Sequence, residues 1–303
     1  MNLEAIKNFI QKFGYILFAV FCLIIFIYLR FPYEVVLTRI INLVEPQLSR
    51  DGSIRISAND LSPYRLLGVS LYDFKILQNG EPIFQAKKVS ARLRILPLLT
   101  GSKSIAFYSK SFGGSLKGHL GMNDESMFGK IYLKKINLQN ISYLKTKMDV
   151  PVRGILKGKI TFSFDSKKIQ NSILDGDLSL DKGLLGPGQI KGFELPAKGI
   201  RLDDKNKPIP ITLSLKDSQL TPSIKFSNDD LSLDLKGTIR AHPRMDRSRL
   251  DLQVKFSFGN QIKDQLPSIF FDNLLKPAEN SDGSYGYKIS GQLRRPRINP
   301  FKT

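Results

Sequence analysis

LSLDLKGTI, residues 231–239, and LDLQVKFSF, residues 250–258, decide how this chain is read. In the first, Leu231, Leu233, Leu235, Gly237 and Ile239 alternate with Ser232, Asp234, Lys236 and Thr238. In the second, Leu250, Leu252, Val254, Phe256 and Phe258 alternate with Asp251, Gln253, Lys255 and Ser257. Successive side chains of a strand point to opposite faces, so a period of two marks a strand with one apolar and one wet face.

The same period extends outward in both directions. It is clear over 89–95, 174–180 and 209–215, and less regular over 69–77, 105–108, 116–120, 130–136, 154–164 and 285–293. Turn-forming clusters such as Gln78-Asn79-Gly80-Glu81-Pro82 and Asp203-Asp204-Lys205-Asn206 separate the runs. Connections this short favour antiparallel neighbours. The expected fold is mainly β: a large curved, mostly antiparallel sheet, an open groove or a sandwich, with one or two short helices. One helix is expected over about 261–276, where Leu266, Ile269, Phe270 and Leu274 recur around an interrupting Pro267.

Glycines inside the strand patterns, among them Gly118, Gly158, Gly176 and Gly237, allow sharp bending. Curling one-sided strands sets their apolar faces along a common trough, with Leu233, Leu235, Leu252, Val254 and Phe256 as candidate lining. A closed core is the commoner outcome in all-β chains. An open apolar lining longer than an acyl chain would point to lipid handling, and a closed sandwich to a scaffold.

Before the sheet, residues 13–29 (FGYILFAVFCLIIFIYL) are uncharged and bounded by Lys12 and Arg30. As a helix they would span about 26 Å, just enough to cross a bilayer. Tyr28, Leu29, Arg30, Phe31 and Pro32 do not suit a small-residue cleavage site, so the run is read as an uncleaved anchor containing Phe13, Gly14, Phe18, Cys22, Phe26 and Leu29. Lys7 and Lys12 favour a cytoplasmic amino terminus. The expected organisation is a stub and anchor over 1–30, a short amphipathic helix over 31–48, and a β domain over 49–303 across the membrane.

Within 303 residues, 46 Lys and Arg face 27 Asp and Glu, a net charge of +19. From Lys87 to Lys159 the count is 15 against 3, a net +12. Arg92, Arg94, Lys117, Lys130, Lys134 and Lys135 are the candidate surface for an anionic partner: lipid headgroups, an envelope polymer or an acidic protein. Nucleic acid is not expected on the far side of a membrane.

Catalytic chemistry is sparse. One cysteine and two histidines leave no Cys/His metal set and no disulfide framework. His119 and His242 have no second ligand nearby in sequence, and Gly186-Pro187-Gly188 reads as a turn. Asp175, Asp177 and Asp181 form a solvent-facing row with nothing to separate an acid from a base. Neither an enzyme nor a cofactor is expected.

Taken in order, Phe31-Pro32-Tyr33-Glu34, Leu66-Leu67-Gly68-Val69-Ser70-Leu71, the run 91–101 (ARLRILPLLTG) and Gly113-Gly114-Ser115-Leu116-Lys117-Gly118 resemble the type II secretion system protein N family. The runs 152–158, 233–239 and 287–296 fit it as well. The resemblance implies a non-enzymatic, single-pass protein of the bacterial inner membrane. Its periplasmic domain would be accessory to the export of folded proteins and would contact other secretion-system subunits. The chain is also similar in style to AsmA-like envelope proteins. That similarity implies the alternative role, a β groove that binds phospholipid or moves it between membranes.

Overall fold

In a computed structural model the described residues are 54–302 except 66–67, 95–96, 98–100, 124–125, 143, 145–149, 166–167, 191, 204–206 and 243–246, with single positions between 15 and 45. Tyr15, Phe18, Ala19, Cys22 and Phe26 are helical and exposed; Phe13, Gly14, Leu29 and the rest of the anchor run lie outside the described residues. Val35, Thr38, Ile41, Asn42 and Glu45 are helical too, within the stretch read as amphipathic. Among the described residues no helix is long and apolar enough to cross a membrane.

The chain is mainly β, in one large antiparallel sheet. Its strands are β1 (Ile54–Ser57), β2 (Asp60–Pro63), β3 (Gly68–Gln78), β4 (Glu81–Leu93), β5 (Lys103–Ser111), β6 (Gly114–Met122), β7 (Ser126–Asn137), β8 (Val152–Asp165) and β9 (Ile173–Leu185). After the short β10 (Gln189–Ile190) and β11 (Phe193–Glu194), which pair with each other in a separate two-stranded sheet, and β12 (Ile200–Arg201) come β13 (Ile209–Lys216), β14 (Gln219–Ser227), β15 (Leu231–Arg240), β16 (Arg249–Phe258), β17 (Tyr285–Gln292) and β18 (Arg295–Pro300). From β3 onward each long strand pairs with the next, β9 with β13 across the short strands, and β1 and β18 do not pair with each other.

The period of two survives into register. One continuous cross-strand row, apolar apart from Ser109, runs Leu71–Val89–Ser109–Leu116–Leu133–Gly158–Leu178–Ile211–Ile224–Leu235–Val254–Tyr287–Pro300, from β3 to β18. A parallel row on the same face runs Leu93–Ile105–Leu120–Gly129–Phe162–Leu174–Leu215–Leu220–Ile239–Leu250. At about 4.8 Å between neighbouring strands the first row is roughly 60 Å long.

Pro222 explains why β14 is hard to read in sequence, because proline inside a run argues against a strand. The β14–β15 pairing is interrupted between Leu220↔Ile239 and Ile224↔Leu235, so the missing N–H falls where the ladder is already open.

The packed core lies at one end of the strands, where Val150, Leu195, Ile200, Leu231, Ile262, Leu266, Phe270, Leu275 and Tyr285 bury one another. Its lid is the expected helical stretch, split at Pro267 into Asn260–Lys263 and a second run from Ser268. An ionic clamp fixes the loop beneath. The Asp230 carboxylate accepts from the Arg201 backbone N–H (3.0 Å), Nε (3.2 Å) and Nη2 (3.0 Å). The Arg201 guanidinium holds the Asp230 carboxyl below its ordinary range. Asn228 donates to the carbonyls of Arg201 and Asp203 and accepts from the N–H groups of Asp230 and Leu231.

The β18 edge is guarded by its own sequence. Phe301 N–H donates to the Gly286 carbonyl at 2.8 Å, which makes 301/286 a hydrogen-bonded pair. By alternation, Pro296, Ile298 and Pro300 turn their backbone groups away from β17. Two of these three outward positions have no N–H, which suits an edge that must not recruit another strand. Replacing both prolines by alanine is expected to shift the protein toward higher oligomers in sedimentation velocity. An unchanged profile would show that they do not guard the edge.

Candidate functional site

The two faces of the sheet differ in kind. On the apolar face, Leu71, Val89, Leu116, Leu133, Leu178, Ile211, Ile224, Leu235 and Val254 of the long row are all half-buried, and none reaches the burial of the capped end. A closed sandwich would bury this row on both sides. Among the described residues the large aromatic cluster instead occupies the helical end, around Phe256, Phe258, Phe270, Phe271 and Tyr285. At the other end Leu93, Ile105, Met122 and Met127 are exposed by 37–57%.

The candidate lining residues therefore divide. Leu235 and Val254 face each other in the half-buried row, and Leu252 lies beside them, buried. Leu233 and Phe256 also pair, but at the capped end, where Phe256 stacks on Tyr287 with ring centroids 6.1 Å apart.

The polar face of β4–β8 is strongly basic. The strands between Glu81 and Asp165 contain no acidic residue. Across them run the rows Lys88–Lys110–Ser115–Lys134, Tyr108–Lys117–Tyr132–Lys159 and Arg92–Ala106–His119–Lys130. Of the sequence candidates, Arg92, Lys117, Lys130 and Lys134 thus share one face. Arg94 follows at the end of β4, and Lys135 sits in a bulge with φ +56°.

Tyrosines lie between these cations. Lys117 and Lys130 Nζ lie 5.6 and 5.4 Å from the centre of the Tyr132 ring, and Lys88 lies 5.0 Å from that of Tyr72. A hydrogen bond from Lys130 lowers the pKa of Tyr132, and one from Lys88 that of Tyr72. Burial, with the charges of Arg94 and Lys130, pushes the His119 pKa down, so its imidazole is neutral at pH 7 and adds nothing to the positive field.

Beyond β8 carboxylates are interleaved with the cations, 16 Asp and Glu against 23 Lys and Arg over residues 166–303. Asp177 and Asp175 lie opposite Lys159 and Thr161, and Asp181 pairs with Lys157. Lys288 and Lys255 pair with Asp251 (3.0 Å) and Asp282 (2.8 Å). Among the described residues no cluster of three or more His, Cys, Asp and Glu could hold a metal.

Sequence reasoning missed a cavity beside the β5–β6 turn and the middle of β3 and β4, lined by Asp73, Lys75, Lys87, Lys110, Phe112 and Asn140 among others. Its signal was present. Apolar spacing slips from two to three between Leu71 and Phe74, Ala86 and Val89, and Leu133 and Ile136, which marks bulges. A comparison with protein-family models, curated proteins and solved structures finds no match to the chain.

Proposed function

We propose that the protein holds phospholipid acyl chains along the apolar face of its sheet, as an envelope lipid carrier. In this reading residues 13–29 anchor it in the bacterial inner membrane and 49–303 stand in the periplasm. The observation that carries it is the half-buried apolar row from β3 to β18. Its length of roughly 60 Å exceeds the whole hydrocarbon core of a bilayer, about 30 Å, so an acyl chain could be held at many points along it. Apolar side chains left half in water gain about 25 cal/mol for each Å² that a lipid tail covers.

Native mass spectrometry of the full chain, released from mild detergent, is expected to show bound phospholipid. Leu178→Gln with Leu235→Gln, both in the middle of the row, should lower that occupancy while the β circular dichroism spectrum is retained. Absence of co-purifying lipid, together with no exchange of a fluorescent phospholipid, would overturn the reading.

The basic polar face of β4–β8, which a lipid track does not use, supports a second reading as an accessory subunit of type II secretion that docks an acidic neighbour there. Loss of the protein should then impair export of folded enzymes, and the Leu178/Leu235 variant should restore it. Unimpaired export would remove this reading.

A further inference from the structure

The cavity between the β5–β6 turn and the middle of β3 and β4 has a volume of about 600 Å³. That is within the usual range for small-molecule sites, roughly 300–1,000 Å³. It is formed by irregular backbone. Ala86 lies opposite Ser111 but Lys88 lies opposite Lys110, so Lys87 is the extra residue of a bulge. Asp73, on the neighbouring strand, has φ +48°, and the β5–β6 turn carries Phe112 at φ +54° and Gly113 at +73°. A bulky residue in the left-handed region costs about 1–2 kcal/mol, and such strain gathers where a site is being shaped. The Phe84 ring holds the turn in place, edge-on to both Phe112 (5.4 Å between centroids) and Phe74 (6.0 Å).

The charges around this cavity are unbalanced. Lys75, Lys87 and Lys110 line it, are exposed, and form no ion pair among the described residues. Its one carboxylate, Asp73, accepts instead from the Asn59 amide at 3.2 Å. Lys88 lies opposite Lys110, and Lys134 follows in the same cross-strand row, so the cavity adjoins the basic face of β4–β8. Asn140 supplies an amide at the rim. In the wall, the Ser111 side chain is buried and its hydroxyl has no partner among the described residues.

We propose that this cavity binds a phosphate group carrying an organic substituent, with Lys75, Lys87 and Lys110 as its cationic ligands. The phosphate can come from a soluble phosphoester or from a phospholipid headgroup; the chemistry of recognition is the same. The proposal is separate from the apolar row, because none of its ligands belongs to that row.

The test is titration calorimetry on the full chain in neutral detergent, with inorganic phosphate, glycerol 3-phosphate and short-chain phosphatidylglycerol as probes. Saturable binding of glycerol 3-phosphate would identify a soluble phosphoester as sufficient, and binding of phosphatidylglycerol alone would identify the headgroup as the source. The triple variant K75Q/K87Q/K110Q should weaken the bound probe about tenfold or more, since each lost amine removes a charge-assisted hydrogen bond. The variant K117Q/K130Q/K159Q removes equal charge from the same face outside the cavity and should leave affinity within about twofold if ligation is local. Equal weakening by both variants would reduce the cavity to part of a diffuse field and overturn the proposal. So would failure of every probe to saturate, or saturation by inorganic phosphate as tightly as by the esters.

Discussion

Valine in place of Gly158 is expected to unfold the centre of the sheet. Gly158 stands in β8 between Leu133 and Leu178 with φ +145°, a region essentially open to glycine alone. A Cβ built there lies 2.2 Å from the Asp177 carbonyl oxygen and 2.7 Å from the Leu178 Cα, so backbone rather than a mobile side chain would have to move. Backbone strain of about 1–3 kcal/mol and overpacking of a similar size together remove a large part of a typical domain's stability. Gly176 is the control. It lies on the same face without a positive φ, and its Cβ would meet side chains rather than backbone, Leu213 at 3.2 Å and Ile160 at 3.7 Å. Urea denaturation should show Gly176→Ala within about 1.5 kcal/mol of the parent, with Gly158→Val unfolded or destabilised by about 3 kcal/mol or more. Equal midpoints for the two variants would refute the argument.

The second large effect is expected at the helical cap. Phe270 is 4% exposed and meets Phe193, Phe258 and Phe271 with centroids 5.6, 6.4 and 5.5 Å apart. Phe270→Ala removes the ring shared between the short β11 segment, the end of β16 and the cap. The expected cost is about 3–5 kcal/mol. Hydrogen exchange should speed up first over 260–278, because the cap has few contacts apart from this cluster. Protection lost uniformly along the whole sheet, or not at all, would show that the cap is not held in this way.

Much of the fold was legible in sequence for a local reason. Leu231 to Ile239 and Leu250 to Phe258 alternate because side-chain direction in a strand depends on the chain itself. Their pairing, Leu231 with Phe258 through Arg240 with Arg249, adds no exception to that pattern. Pro267 broke the helix as expected, since proline lacks the N–H that a helix interior needs. The short edge strands β1 and β18 were less legible, because they are defined by the neighbour they pair with rather than by their own pattern. The candidate lining was only half legible. Leu233 and Leu235 are indistinguishable in sequence, yet one faces the Phe256 end and the other the half-buried row.

The sequence by itself determined most of the strands, their wet and apolar sides, and the concentration of basic residues between Lys87 and Lys159. Each follows from residue type and a period of two. Only the tertiary structure decided that the apolar sides fall into register from β3 to β18, that a helical cap packs on one end while the middle of the row is half-buried, and that three lysines with no ion pair among the described residues meet around one cavity. Register and bulge placement depend on partners far along the chain, and a single-residue slip would carry a side chain to the opposite face.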